Sequence, residues 1–94
     1  MITAQPLIEN IQIEKYLEGI ESVTVGGEYD TKGRPLYYDW VLNIREQCIR
    51  KNVDFDFRQC ATNFVKDGKT YKLRYGDLCK QARLANINYR ANNP

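Results

Sequence analysis

The residues able to do chemistry fall into three groups. Glu28 and Asp30 follow a first β-like run, while Asp54, Asp56 and Arg58 alternate with Val53, Phe55 and Phe57 in a second. Carboxylates beside an arginine can move protons or grip a polar ligand, and on an open sheet face they are simply solvated. Gly26 and Gly27 would let a phosphate or cofactor approach the backbone, but their spacing is not G-x-G-x-x-G and no helix opens directly after them. A tight turn explains them better. The third group is cationic and aromatic: Lys66, Lys69, Tyr71, Lys72 and Arg74, with Arg34 on an earlier loop. Cations interleaved with tyrosines suit protein interfaces and single-stranded nucleic acid alike. The plainer alternatives are a solvated basic face and, for Arg34, an ion pair with Glu28 or Asp30.

Other chemistry is closed off by composition. The sequence contains no histidine, which removes Ser-His and Cys-His nucleophiles and histidine-based zinc sites. Cys48, Cys60 and Cys79 are 12 and 19 positions apart with no C-x-x-C. That spacing indicates neither a disulfide framework nor a metal site, and reads as reduced thiols in a cytosolic protein. No cofactor and no metal are expected.

The elements that must position these groups are legible in the pattern. Ser22 to Val25 is a β-branched run closed by glycine. The stretch from Asp39 to Lys51 repeats Val41, Ile44 and Cys48 at helical spacing, with Asp39 as a candidate N-cap, Glu46 and Arg50 on the outer face, and Asn52 as the stop. The run from Val53 to Arg58 is a period-2 strand. Two strands joined through a helix of that length are parallel, and the sites of such sheets gather at the strands' carboxyl ends: Gly26-Gly27-Glu28 and Gln59-Cys60 here. An edge strand is expected at Met1 to Ala4, stopped by Pro6, and a brief helical turn from Glu14 closed by Gly19. Asp30, Lys32, Gly33 and Arg34 make a charged loop, and Tyr37 and Tyr38 cover the helix entry. Asp67-Gly68 between two β-like runs predicts a type I′ hairpin that brings Lys66, Lys69 and Lys72 together. Asp77 is placed to cap a last helix, Leu78 to Ala85, after which Asn86 to Tyr89 form an extended anchor and Arg90 to Pro94 a loose end.

The ordered series VTVGGE, GRP at Gly33 to Pro35, DWVLNIREQC, FDFRQ, the DGK hairpin and a terminal QAR-x-A-x-I resembles the C-terminal part of an uncharacterised phage-associated family. Its longer members resemble partial (β/α) barrels related to radical-SAM enzymes. The resemblance runs from about Gln5 to Tyr89. It implies that Gly26, Gly27 and Glu28 descend from a cofactor-contacting edge, and that the iron–sulfur cysteines lie in an N-terminal region ahead of this chain. Tyr29 and Cys60 depart from the family's usual residues at the two strand ends.

At 94 residues the sequence makes one domain, 1–94, with a small core. One βαβ unit cannot close a barrel, which takes about 250 residues. The fold class expected is therefore α/β: a small, open, mainly parallel sheet, or partial barrel, with a packed helix, a hairpin and a C-terminal helix. Its open edges favour a homodimer or a partner. The net charge of +2 divides into −3 over residues 1–63 and +5 over residues 64–94, so the basic end is the natural footprint for an acidic surface. No secretion signal or membrane span is visible, and the expected location is the cytoplasm of a bacterial host. Three functions compete. The leading one is a non-catalytic inhibitor of a host defence complex, of the anti-CRISPR type and encoded by a phage or mobile element. The others are a fragment of a split radical-SAM-like enzyme that needs a partner chain, and a small nucleic-acid-binding protein.

Overall fold

The protein is described by a computed structural model over residues 2–5, 7, 9–29 and 34–91. Asp30, Lys32 and Gly33 of the charged loop, Met1, Pro6, and Asn92 to Pro94 lie outside the described residues. Strand β1 is Ile2–Ala4, β2 Ser22–Gly26, β3 Leu36–Tyr37, β4 Asp54–Gln59, β5 Asn63–Lys66 and β6 Lys69–Lys72. The helices are α1, Tyr38–Arg50, and α2, Leu78–Ala85, with 3-10 turns at Glu14–Tyr16 and Tyr75–Asp77.

The strands form two sheets. The first is wholly parallel in the order β1-β2-β4, with Ile2, Val23 and Phe55 in register. Its alternation puts Val23, Val25, Phe55 and Phe57 into the core and leaves Thr3, Thr24 and Asp56 on the opposite face. The second has the order β3-β5-β6, with β3 parallel to β5 and β5 antiparallel to β6. The hairpin therefore joins Leu36–Tyr37, a strand too short to show any periodicity, instead of extending the parallel sheet. The α/β class holds, and neither sheet closes into a barrel.

One hydrophobic cluster lies between the sheets and the helices. Val41, Ile44 and Cys48 of α1 and Leu78 and Ala82 of α2 are buried in the core. The α1 helix stops where expected, with Asn52 left-handed at φ 55° just past its end, and α2 stops at Asn86 with φ 52°. Both N-caps differ from the sequence expectation. The cap of α1 is Tyr37, in extended backbone at φ −89° and ψ 126°, and Asp39 lies inside the first turn. There its carboxylate still faces the positive end of the helix dipole. Asp77 is already in helical backbone and makes no side-chain cap, because the 3-10 turn runs directly into α2.

The extended segment before the 3-10 turn is held by side chains of α1. Gln47 and Asn43 both bond the Ile11 carbonyl. Arg50 pairs with Glu14 at 2.5 Å, which holds the Glu14 carboxyl below its ordinary value. At the other end the anchor is real: Phe55 and Tyr89 exchange two backbone hydrogen bonds, of 2.8 and 2.9 Å. Arg90 and Ala91 are tied down too, by Asp56 at 2.7 Å and Asp54 at 2.7 Å. The loose end expected from Arg90 is thus fastened at least through Ala91. No helix among the described residues is long and apolar enough to cross a membrane.

Candidate docking site

Asp67 at φ 54° and Gly68 at φ 77° give both central turn residues the positive φ of a type I′ hairpin. The turn fixes the register, and the register sorts the sequence-predicted residues by face. Lys66 lies opposite Lys69 and Phe64 opposite Tyr71, so these four side chains share one face. Lys72 lies opposite Asn63 on the other face, with its Nζ donating to Asn63 Oδ1. The three lysines do not form one patch, since 66 and 69 differ in strand parity from 72.

The face carrying Lys66 and Tyr71 looks onto α2 across a groove of about 480 Å³. The floor is aromatic. Tyr38 and Phe64 rings meet edge-on at 5.8 Å, and Phe57 stands 6.5 Å from both. Leu73, Leu84 and Ala85 complete the apolar wall, with Gln81 beside them and Lys66 at the rim. The Lys66 ammonium sits 5.0 Å from the centre of the Tyr38 ring, a distance at which ring and cation attract. Leu84 is 65% exposed and Tyr71 44% exposed, so large apolar groups face water around a preformed depression.

Sequence reasoning missed the groove because its walls come from four separated segments. A signal existed at Leu84, an apolar residue standing among Lys80, Gln81 and Arg83 on the outer side of α2. Of the predicted residues, Lys66 and Tyr71 line the groove, Lys69 shares their face, and Arg74 is exposed at the start of the 3-10 turn. Arg34 is apart from them: its backbone N–H donates to Glu28 Oε1 at 2.8 Å and its Nε lies 3.7 Å from the same oxygen. It is the ion pair anticipated for it.

The glycine edge is filled by the chain itself. A Cβ on Gly27 would lie 2.5 Å from the Ala61 Cβ and 2.7 Å from its backbone N and Cα, and one on Gly26 would lie 3.0 Å from the Gln5 side chain. Gly27 N–H donates to the Gln59 carbonyl at 3.1 Å and Gln59 Nε2 donates to the Gly27 carbonyl at 2.7 Å. Gly27 is needed for the close approach of the Ala61 backbone, whereas the neighbour of Gly26 is a flexible side chain. The thiols do not fit an iron–sulfur cluster either. Cys48 is sealed in the core of α1 and Cys60 below the groove, and burial pushes their pKa values up to about 11 and about 12, away from the thiolate a cluster requires.

The open face of the parallel sheet is polar. Thr3, Thr24, Asp56, Arg58 and Asn88 surround a shallow depression there. Asp56 is engaged by Arg90 at 2.7 Å, while Glu28 lies beyond the end of β2 in its own pair with Arg34. Glu28 and Asp56 are thus drawn into separate ion pairs, with Arg34 and Arg90 respectively.

A family model described as a protein of unknown function (DUF5131) matches residues 1–87, and the chain belongs to that family. No curated protein and no solved structure matches the chain.

Proposed function

We propose that this member of the DUF5131 family is a non-catalytic binding protein that works by covering a partner's surface. In its fullest form the reading makes the partner a defence complex of a bacterial host, such as a CRISPR effector, and the protein a phage- or mobile-element-encoded inhibitor. The observation that carries the binding role is the meeting of Lys66, Lys69 and Tyr71 on one face of the hairpin beside an apolar groove. Cationic and aromatic groups around a desolvated centre are what interface hot spots are made of. Inhibition by occlusion needs only such a surface. The inhibitor identity is carried by the phage-associated resemblance.

The test is affinity capture from a bacterial lysate containing such a complex, with Lys69→Glu and Lys72→Glu made separately. Because the two lysines lie on opposite faces, the pair of variants also maps the contact. Loss of a captured defence complex by about tenfold or more with Lys69→Glu, and little change with Lys72→Glu, is the expected result. Capture of no defence protein removes the inhibitor reading, and capture indifferent to both reversals removes the hairpin as its site.

The split-enzyme reading has an observation of its own. The three parallel strands follow sequence order, and their uncovered face carries Thr3, Thr24, Asp56 and Arg58, whereas all-parallel sheets are ordinarily covered on both faces. A partner chain that adds a strand beside β1 would turn that face inward. Co-expression with the N-terminal part of a longer family member tests it: co-purification that fails when Thr3→Pro is introduced supports this reading, and no co-purification removes it.

A further inference from the structure

We infer that the groove between the β5-β6 hairpin and α2 receives a short acidic peptide segment whose bulky apolar side chains enter the aromatic floor. The inference rests on the binding role proposed above and names the chemistry of what is bound.

Three features decide the occupant. The groove's volume of about 480 Å³ falls in the range of specific binding pockets, roughly 300–1,000 Å³, and it is lined by Phe57, Phe64, Leu73 and Leu84. That calls for a large apolar group. The one charged lining residue is Lys66, with Lys69 facing it across the hairpin and no carboxylate among the lining residues. Residues 64–94 carry +5, so a partner with acidic residues beside its apolar anchors is steered in and a basic one repelled. Of the lining rings Tyr71 alone is exposed, whereas base stacking along a single strand needs successive open ring faces. Phe57 and Phe64 are only 3% and 8% exposed and packed against Tyr38, which leaves their faces unavailable for the base stacking that single strands require. Peptide side chains can instead fill the depression from above.

The floor is preorganised, since its rings belong to the core cluster or pack against it. Only the peptide pays the ordering entropy, and affinity in the range of roughly 10–100 µM is expected for so small a contact.

The probe is a fluorescein-labelled peptide of about a dozen residues in which Glu and Asp surround two Leu and one Phe at i, i+3 and i+7 spacing, titrated against the full chain. Its counterparts replace the acids by Lys or the three anchors by Ala. Binding of the acidic peptide, at least about tenfold weaker binding by both Leu84→Glu and Lys66→Glu, and amide shifts centred on Tyr71 and Leu84 are expected. Both substituted positions are exposed, and circular dichroism checks that the variants fold. The Lys-bearing peptide binding as well as the acidic one, affinity indifferent to Leu84→Glu, no binding of any peptide, or an oligothymidylate producing the larger shifts in the groove overturns the inference. Failure here is separable from failure of the binding role. A captured complex that is lost on Lys69→Glu but survives Leu84→Glu leaves the binding role standing and removes the groove.

Discussion

Gln47 accepts a hydrogen bond from the Ile13 backbone N–H at 2.6 Å while its whole residue is buried in the core. The same Oε1 takes the Glu14 N–H at 2.8 Å, and Nε2 donates to the Ile11 carbonyl at 3.0 Å. One side chain thus satisfies three backbone groups of a segment that has no sheet partner of its own. A buried amide is tolerated in α1 because it replaces secondary structure elsewhere.

Gln47→Leu keeps the approximate shape and strands the Ile13 and Glu14 N–H groups, while Asn43 still donates to the Ile11 carbonyl. The expected cost is about 2–4 kcal/mol, enough in so small a domain to lower Tm by roughly 10–20 °C. Thermal unfolding followed by circular dichroism measures it. A change below about 0.5 kcal/mol, the size of an ordinary surface substitution, would show that the 11–14 segment does not depend on this residue.

Gly27→Ala tests whether the Gly-Gly pair is kept for packing. The new methyl would overlap Ala61, backbone included, and the neighbour is no flexible side-chain end. Overpacking of this kind costs about 1–3 kcal/mol. Gly19→Ala, with open space around it but φ at 79°, should cost about 1 kcal/mol from backbone strain alone. Denaturant titration that ranks Gly19 above Gly27 would contradict the close-approach explanation.

The sequence made the main elements legible where local chemistry and burial agree. β2, α1, β4, the hairpin and α2 all carry periodicity, a stop residue or a turn dipeptide that the core then uses. It did not show that Leu36-Tyr37 pairs with Phe64-Val65, because two residues hold no pattern and the partner lies far along the chain. Nor did it separate Lys72 from Lys66 and Lys69. That distinction follows from strand parity once the turn type is fixed, and could have been drawn from Asp67-Gly68. The groove depends on how four segments meet, which is tertiary information. Gln47 was hidden by its polarity: within α1 it reads as a solvent-facing position.

Removing the clamp on β4 is predicted to loosen the parallel sheet. Phe57 N–H donates to Asn88 Oδ1 at 2.8 Å, next to the two bonds between Phe55 and Tyr89. Asn88→Ala leaves the Phe57 amide without that acceptor, at a cost of about 1–2 kcal/mol. Hydrogen exchange should accelerate at Phe55 and Phe57 more than at Val23 or Val25, whose strand lies between two others. Uniform acceleration across all four would mean that the clamp acts on global stability alone. The clamp residues 88–91 lie past the family-matched stretch, so this edge is closed by chain that the family model does not include.

The thiols give a prediction with a definite sign in pH. Burial raises Cys48 to about 11 and Cys60 to about 12 from an ordinary value of 9.0. Between those limits the unfolded chain has lost a proton that the folded chain retains. The folded state binds more protons there, so stability falls as pH rises. The contribution is whole below pH 9.0 and disappears as pH climbs through about 11 and about 12. Tyrosine and lysine ionisation also acts at such pH, and the comparison with Cys60→Ala isolates the thiol: the variant should lose less stability per pH unit above 9.0 than the parent. Thiol titration gives the kinetic counterpart. Exposed Cys79 should react with a disulfide reagent promptly at pH 8, while Cys48 and Cys60 wait for unfolding. Three equally fast thiols in the folded protein would show that neither buried sulfur is sealed from water, and parallel alkaline stability curves for parent and variant would show it for Cys60.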